Sequence, residues 1–244
     1  VTAINPEELL LAYRLGIFPM AESRNASDVL WVRPHERCIL PLDKFHVPRR
    51  LADTVKSDRF TVTVDTHFAE VIRGCAETGP DRRDTWINAP IVDVFTTLYE
   101  RGLAHSVEVW FEKRLVGGLY GLSLASAFFA ESKFSRMRDA SKVALVHLAA
   151  RLKARGYLLL DAQFPNPHLE QFGAITVTEE RFQGLLAQAL SREADFYGRS
   201  GGAGAPAGGA PTAGLAGGGG TSACNPALSP TPGWSVLQVI TQTS

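Results

Sequence analysis

Apolar positions along the chain switch between a helical period and a period of two, and the switches mark the elements. Asn5 is a good helix N-cap, Pro6 suits the first helical position and Gly16 is a stop, so Glu7 to Leu15 is expected to be helical. Phe60 to Val64 alternates as a strand does and runs into a helix carrying Phe68, Val71 and Ile72. Pro90 opens another helix, with Val94, Phe95 and Leu98 on its apolar side and Gly102 past its end. A strand-rich block follows: Ser106 to Phe111, a turn at Glu112-Lys113-Arg114, Leu115 to Leu122, then Ala127 to Glu131. Asp139 stands as the cap of a long helix in which Ala144, Leu148 and Leu152 recur at every fourth position, and Gly156 ends it. Tyr157 to Asp161 is almost wholly apolar and suits a buried central strand. A helix capped by Thr178 closes the pattern with Glu179 to Leu190. Three strands, helix, strand, helix, strand is the order of an acyltransferase-type α/β sheet, although order alone does not establish function.

Beyond Gly198 the pattern stops. After Arg199 the composition is dominated by Gly, Ala, Pro, Ser and Thr, without one charged side chain before Ser244. Such a segment buries too little apolar surface to offset its ordering entropy, so residues 199–244 are expected to be a disordered tail. The short apolar stretch Trp234 to Ile240 is read as having no docking role, and its removal is expected to leave stability unchanged.

Composition narrows the picture only a little. Lys plus Arg equals Asp plus Glu, 25 each, so nucleic-acid binding would have to rest on a local patch. Cys38, Cys75 and Cys224 have neither zinc nor redox spacing, which argues for a reducing compartment. No signal-peptide pattern and no long apolar run is present, and the cytoplasm is the expected location without a membrane partner. The histidines His35, His46, His67, His105, His147 and His168 show no ligand spacing, so no metal is expected. Gly121-Leu122-Ser123-Leu124-Ala125 misses the nucleophile-elbow pattern. Gly117-Gly118-Leu119-Tyr120-Gly121 lacks the Lys-Ser/Thr of a phosphate loop, and its glycines are read as permitting close strand packing.

Two segments are harder to read as scaffolding. Glu131-Ser132-Lys133-Phe134-Ser135-Arg136-Met137 is a polar run between a buried strand and the Asp139 cap. In Asp161-Ala162-Gln163 an apolar strand ends in two polar residues which, with a period of two, project from one face. An acid at the C-terminal end of a buried strand is where α/β sheets place working residues, though Asp161 could equally cap or pair locally.

These residues meet a known pattern. Leu9 to Pro19 resembles the opening signature of bacterial leucyl/phenylalanyl-tRNA–protein transferases. Thr85-Trp86-Ile87, Ala104 to Trp110, Leu115 to Gly121, Glu131-Ser132 with Phe134-Ser135-Arg136, and Ala140-Ser141-Lys142 resemble its further motifs in order. Asp161-Ala162-Gln163 resembles its Asp-x-Gln, and Asn166 falls on a following Asn. The likeness spans about residues 5 to 190. It implies a small N-terminal domain, residues 1–33, packed on an acetyltransferase-like mixed sheet with flanking helices, residues 34–198. It also implies transfer of Leu, Phe or Met from aminoacyl-tRNA to proteins beginning with Arg or Lys, marking them for degradation, by a monomer without a cofactor. Under that resemblance Asp161 and Gln163 are the catalytic pair, and Glu131 and Asp161 hold the cationic acceptor end. Tyr13, Trp86 and Asn166 shape the site near the aminoacyl-adenosine. Arg49, Arg50 and Lys56, on a helix expected after Pro48, are the tRNA-binding cluster, against which stands the plain reading of a solvated helix face.

The chain departs from that pattern at several positions. Met20 stands where some members have Trp, Ala125 and Ala130 replace glycines, Lys133 replaces Met, and Pro165 and Pro167 flank Asn166. If the strand through Glu131 continues, Lys133 shares its face; its ammonium would then repel a cationic acceptor, unless the long stem carries the charge out to water. Two alternatives stay open at this point. One is an acetyl-coenzyme A-dependent N-acetyltransferase, for which Arg136 to Ser141 lacks the glycine a pyrophosphate loop needs; the other is a non-catalytic tRNA- or degron-binding relative.

Overall fold

The computed structural model describes residues 3–79, 83–198 and 231–242. The chain begins with helix α1 (Pro6–Arg14), where the Asn5 side chain accepts from the backbone N–H of Glu7. Strands β1 (Phe18–Met20) and β2 (Leu30–Val32) pair antiparallel as a two-stranded sheet of their own. Everything else is built on seven strands: β3 (Glu36–Ile39), β4 (Thr61–Val64), β5 (Ala104–Phe111), β6 (Arg114–Leu124), β7 (Ala127–Ser135), β8 (Leu159–Gln163) and β9 (Ile175–Thr178). Their spatial order is β4-β5-β6-β7-β8-β3-β9. All neighbours are antiparallel except β7 and β8, which are parallel and joined by the long helix α5 (Ala140–Ala154). The α/β class and mixed sheet therefore stand as expected. Strand β3 does not follow from the apolar period alone: only four residues long, it inserts between β8 and β9 from far upstream.

The sheet divides the apolar interior into two cores. On one side Phe128, Leu119 and Leu160 pack with α5 and with α2 (Arg49–Lys56). On the other, Phe129, Tyr120 and Leu122 pack with α1, α3 (Phe68–Ala76), α4 (Ala89–Glu100) and α7 (Glu179–Leu190). The glycines of β6 serve close packing, as read: a Cβ on Gly117 would lie 2.6 Å from that of Ala140.

Three local expectations change. The Glu112-Lys113 turn is tighter than expected, with both residues at positive φ and Arg114 already in β6. Asp139 holds the N-cap position of α5 but lies in the left-handed region and makes no side-chain cap bond; its carboxylate instead accepts from Lys142 Nζ at 2.9 Å. The third change is the tail. Residues 199–230 fall outside the described residues, but Gly233–Thr241 form a helix, α8, with Val236, Leu237 and Ile240 buried against α2 and α5. The backbone N–H of Gly233 donates to Asp58 (2.7 Å), and Lys153 Nζ donates to the Ile240 carbonyl (2.9 Å). One apolar stripe facing a groove suffices to dock a helix that composition alone marks as structureless.

Candidate active site

A break in the sheet creates the site. Strands β7 and β8 pair only at Ala127–Leu159, Phe128–Leu160 and Phe129–Asp161. Beyond that register each runs on without the other, so a cleft opens between them. Strand β7 changes character at the same place: Gly121 pairs with Ala130 but Tyr120 with Ser132, which leaves Glu131 as the extra residue of a β-bulge. Bulges re-aim side chains, and this one does so in the middle of the cleft. Phe129 and Phe134 end up in the same core although five positions apart, so the alternation has slipped by one. The run from Glu131 to Ser135 is therefore strand, not loop, and Glu131 and Lys133 do not share a face. Glu131 turns toward Tyr13 and Tyr120; Lys133 lies opposite Leu119, on the α5 side.

Asp161 is fully buried and bound by a residue that the motifs did not mark. Arg37 on β3 donates from Nε to Oδ1 at 2.9 Å and from Nη2 to Oδ2 at 2.6 Å, with both side chains within 1% of full burial. The guanidinium also donates to the Gly16 carbonyl at 3.0 Å and lies between the rings of Phe18 and Phe182. The signal for Arg37 was present: a cation beside the apolar run Cys38-Ile39-Leu40 has to meet an anion if buried, and Asp161 is the acid of the central strand.

Gln163 follows with φ 63°, so its side chain does not obey the strand alternation. Its N–H donates to Asp161 Oδ1 (2.9 Å) and its Nε2 to Glu131 Oε1 (3.0 Å). The carboxylate–amide chain from Asp161 through Gln163 to Glu131 is continuous. Glu131 Oε2, Tyr13 Oη and Tyr120 Oη are the buried side-chain atoms without a hydrogen-bond partner among the described residues, and they cluster here. Tyr13 lies close to Glu131 without completing hydrogen-bond geometry. Burial pushes the Glu131 carboxyl from 4.5 up to about 8, against the lowering influence of the Tyr13 hydroxyl and the Gln163 amide. Burial, and then the nearby Glu131, hold both tyrosine hydroxyls well above their ordinary range.

Two cavities adjoin along the cleft. The inner one, about 320 Å³, has apolar walls from Leu40, Leu119, Leu145 and Leu169, with Glu131 and Ser132 among its polar lining. The outer one, about 290 Å³, is bounded by Ser135, Ser141, Lys142 and His168; Lys133, Leu145 and Asn166 line both.

A sequence model described as leucyl/phenylalanyl-tRNA protein transferase matches residues 39–187, and one described as the N-terminal domain of that protein matches residues 2–35. The leucyl/phenylalanyl-tRNA–protein transferase of Hyphomonas neptunium is 55% identical over 197 residues, which are 81% of this chain and 76% of the relative. That of Phenylobacterium zucineum is 54% identical over 190 residues, 78% of this chain and 86% of the relative. The chain belongs to this family. Among solved structures, L-PGS from Bacillus licheniformis covers 66% of this chain and 51% of its own at 13% identity and a TM-score of 0.40.

In this leucyl/phenylalanyl-tRNA–protein transferase family member, Tyr13, Glu131, Asp161 and Gln163 are brought together at one point. Asn166 lines the same cleft and caps the short helix α6 (Pro167–Glu170) by accepting from the His168 N–H at 2.9 Å. That cap, with Pro167 at the first helical position, accounts for one of the two unusual prolines. Trp86 lies on the loop before α4, packed against the core that holds Tyr13, and its carbonyl accepts from the Ala21 N–H. Arg49, Arg50 and Lys56 are exposed on α2, on the α5 side of the sheet. No helix among the described residues is long and apolar enough to cross a membrane.

Proposed function

We propose that the chain transfers Leu, Phe or Met from aminoacyl-tRNA to the α-amine of proteins beginning with Arg or Lys, at the splayed ends of β7 and β8. The observation that carries this reading is the cleft itself: a chamber walled largely by apolar side chains, which suits an aliphatic or aromatic aminoacyl group, with Glu131 in its lining. The α-amine attacks the ester carbonyl, the nucleotide hydroxyl leaves, and one proton of the ammonium must be taken up. The donor is already activated, so positioning supplies most of the rate.

The geometry favours a division of labour among the carboxylates. Both Asp161 oxygens are engaged by Arg37, so Asp161 serves as a positioning residue that fixes the strand end and the Gln163 backbone. Glu131 keeps a free oxygen, and a carboxyl at about 8 is matched to an α-amine near 7.7–8.0, so proton exchange between them is nearly thermoneutral. Gln163, bonded to Glu131, orients the incoming amine. Tyr13 shapes the pocket, Asn166 borders the aminoacyl-adenosine, and Trp86 contributes from its loop. Residues 1–33 are the small N-terminal domain, 34–198 the acetyltransferase-like catalytic domain, and α2 the tRNA landing site. The enzyme acts as a monomer in the cytoplasm, without a cofactor, and its products enter degradation. Nothing in the cleft favours acetyl-coenzyme A or a non-catalytic role.

Radiolabelled Leu-tRNA with peptides that differ only in their first residue tests the reading. Label should pass to Arg- and Lys-starting peptides and not to Asp-starting ones. Absence of transfer, or transfer indifferent to the first residue, would refute it.

A further inference from the structure

Among the described residues Lys133 is a cation without a counter-ion. Only partly exposed on β7, it makes no hydrogen bond or ion pair among the described residues. Burial lowers its pKa, and the Cys38 thiol is the group that pushes it back. Its neighbours do not supply the missing charge. Lys142 is already matched by Asp139, and Glu131, on the other side of the bulge, is held by burial mainly in its neutral form at pH 7. The junction of the two cavities therefore carries one uncompensated positive charge, with the Ser135 and Ser141 hydroxyls on the outer side and Asn166 spanning both.

We infer that Lys133 receives the phosphate that links the aminoacylated terminal nucleotide to the rest of the donor, with the outer cavity taking the chain beyond it. This rests on the reading of the cleft as the aminoacyl-tRNA site. Of the two substrates only the donor brings an anion to this point; the acceptor arrives with positive charge. The inner chamber is apolar and suited to the aminoacyl side chain, so the first charged group of the donor falls one nucleotide away, toward the outer cavity. A half-buried ammonium whose charged neighbours are either paired with each other, as Lys142 and Asp139 are, or mainly neutral, as Glu131 is, gains most from a ligand of formal negative charge. The slipped alternation of β7 separates Lys133 from the Tyr13–Tyr120–Glu131 cluster, so repulsion of the acceptor is the weaker account of its presence.

Minimal donors decide the matter: 3′-phenylalanyl-adenosine with and without a 5′-phosphate, used by the wild-type chain, Lys133→Met and Lys133→Arg. The wild type is expected to show a KM about tenfold lower for the phosphorylated donor. In Lys133→Met the two donor KM values should converge, and Lys133→Arg should restore the difference. A phosphate preference that survives in Lys133→Met overturns the inference, as does its absence in the wild type. So does a several-fold drop in peptide KM in Lys133→Met with the donor ratio unchanged, which would put the ammonium on the acceptor side. Intact Phe-tRNA serves as the control: a wild type that transfers from neither it nor the minimal donors defeats the underlying function as well, whereas transfer from tRNA without phosphate preference defeats the inference alone.

Discussion

Arg37 and Asp161 are excluded from water almost completely, so neither charge is tolerable without the other. Asp161→Asn, nearly isosteric, leaves the guanidinium facing two rings and one carbonyl with no anion; Arg37→Met strands the carboxylate. Each single change is expected to cost about 3–5 kcal/mol in urea unfolding. The double change Arg37→Met/Asp161→Leu should recover most of that loss while transfer stays abolished, since the Gln163 backbone loses its acceptor. Additive losses in the double variant would mean that the two charges are not coupled. Glu131 gives a different signature. Its carboxyl is raised from 4.5 to about 8, so the folded state holds its proton where the unfolded state has already released it. Stability attributable to this group is therefore intact below pH about 4.5, declines as pH rises toward about 8, and is level beyond, a total on the order of 5 kcal/mol. Glu131→Gln cannot ionise, and its Tm should exceed that of the wild type by a margin that widens across this window. Parallel Tm–pH curves for the two proteins would place the raised carboxyl elsewhere.

Helix α8 and strand β7 show what a period can and cannot reveal. The stripe Val236, Leu237 and Ile240 repeats at helical spacing, and each buried side chain contributes about 1.5–3 kcal/mol, offset in large part by ordering nine residues. Deletion after Gly198 is expected to lower Tm by roughly 3–8 °C. A Cβ on Gly233 would collide with the Val55 carbonyl of α2, so Gly233→Ala should undock the helix and match the deletion. An unshifted Tm in both proteins would show that the groove does not need its occupant. The long amphipathic and alternating segments were legible because burial of one face is written into residue spacing: α1, α3, α4 and α7 and the β5–β6 hairpin lie where the apolar period puts them. Asp161, Gln163 and Glu131 were legible as polar residues at the ends of buried strands, helped by the family motifs. What spacing does not carry is a register shift or a long-range partner. The bulge at Glu131 leaves no local mark, so the strand period placed Lys133 on the wrong face. Arg37 pairs with a residue 124 positions away, and only the demand of a buried acid for a cation points to it. In the tail, low charge and abundant glycine outweighed a stripe of three residues.

Under the proposed function, the two faces of the sheet would take different substrates across the whole molecule. The α1 side carries Arg37, Tyr13 and Glu131 and would receive the acceptor; the α5 side carries Lys133, the outer cavity and, farther along, α2 with Arg49, Arg50 and Lys56. Helix α5 connects these last features, since its first turn borders the outer cavity while its body packs against α2. A tRNA whose aminoacyl end enters the cleft would thus lay its backbone along one continuous surface, and the charges on α2 would be met only by a donor long enough to reach them. The net charge of the chain is zero, so this binding has to come from local contacts rather than a global field. Replacing Arg49 and Arg50 together by Ala should raise the Kd for intact Phe-tRNA and flatten the log–log salt dependence by up to about 0.9 per lost phosphate contact. The KM for phenylalanyl-adenosine should not move, because that donor ends inside the cleft. Both side chains are exposed, and Tm should hold within about a degree. An equal loss with both donors would place the effect in the cleft rather than on α2, and an unchanged salt slope would make the α2 cations a solvated face with no part in tRNA binding.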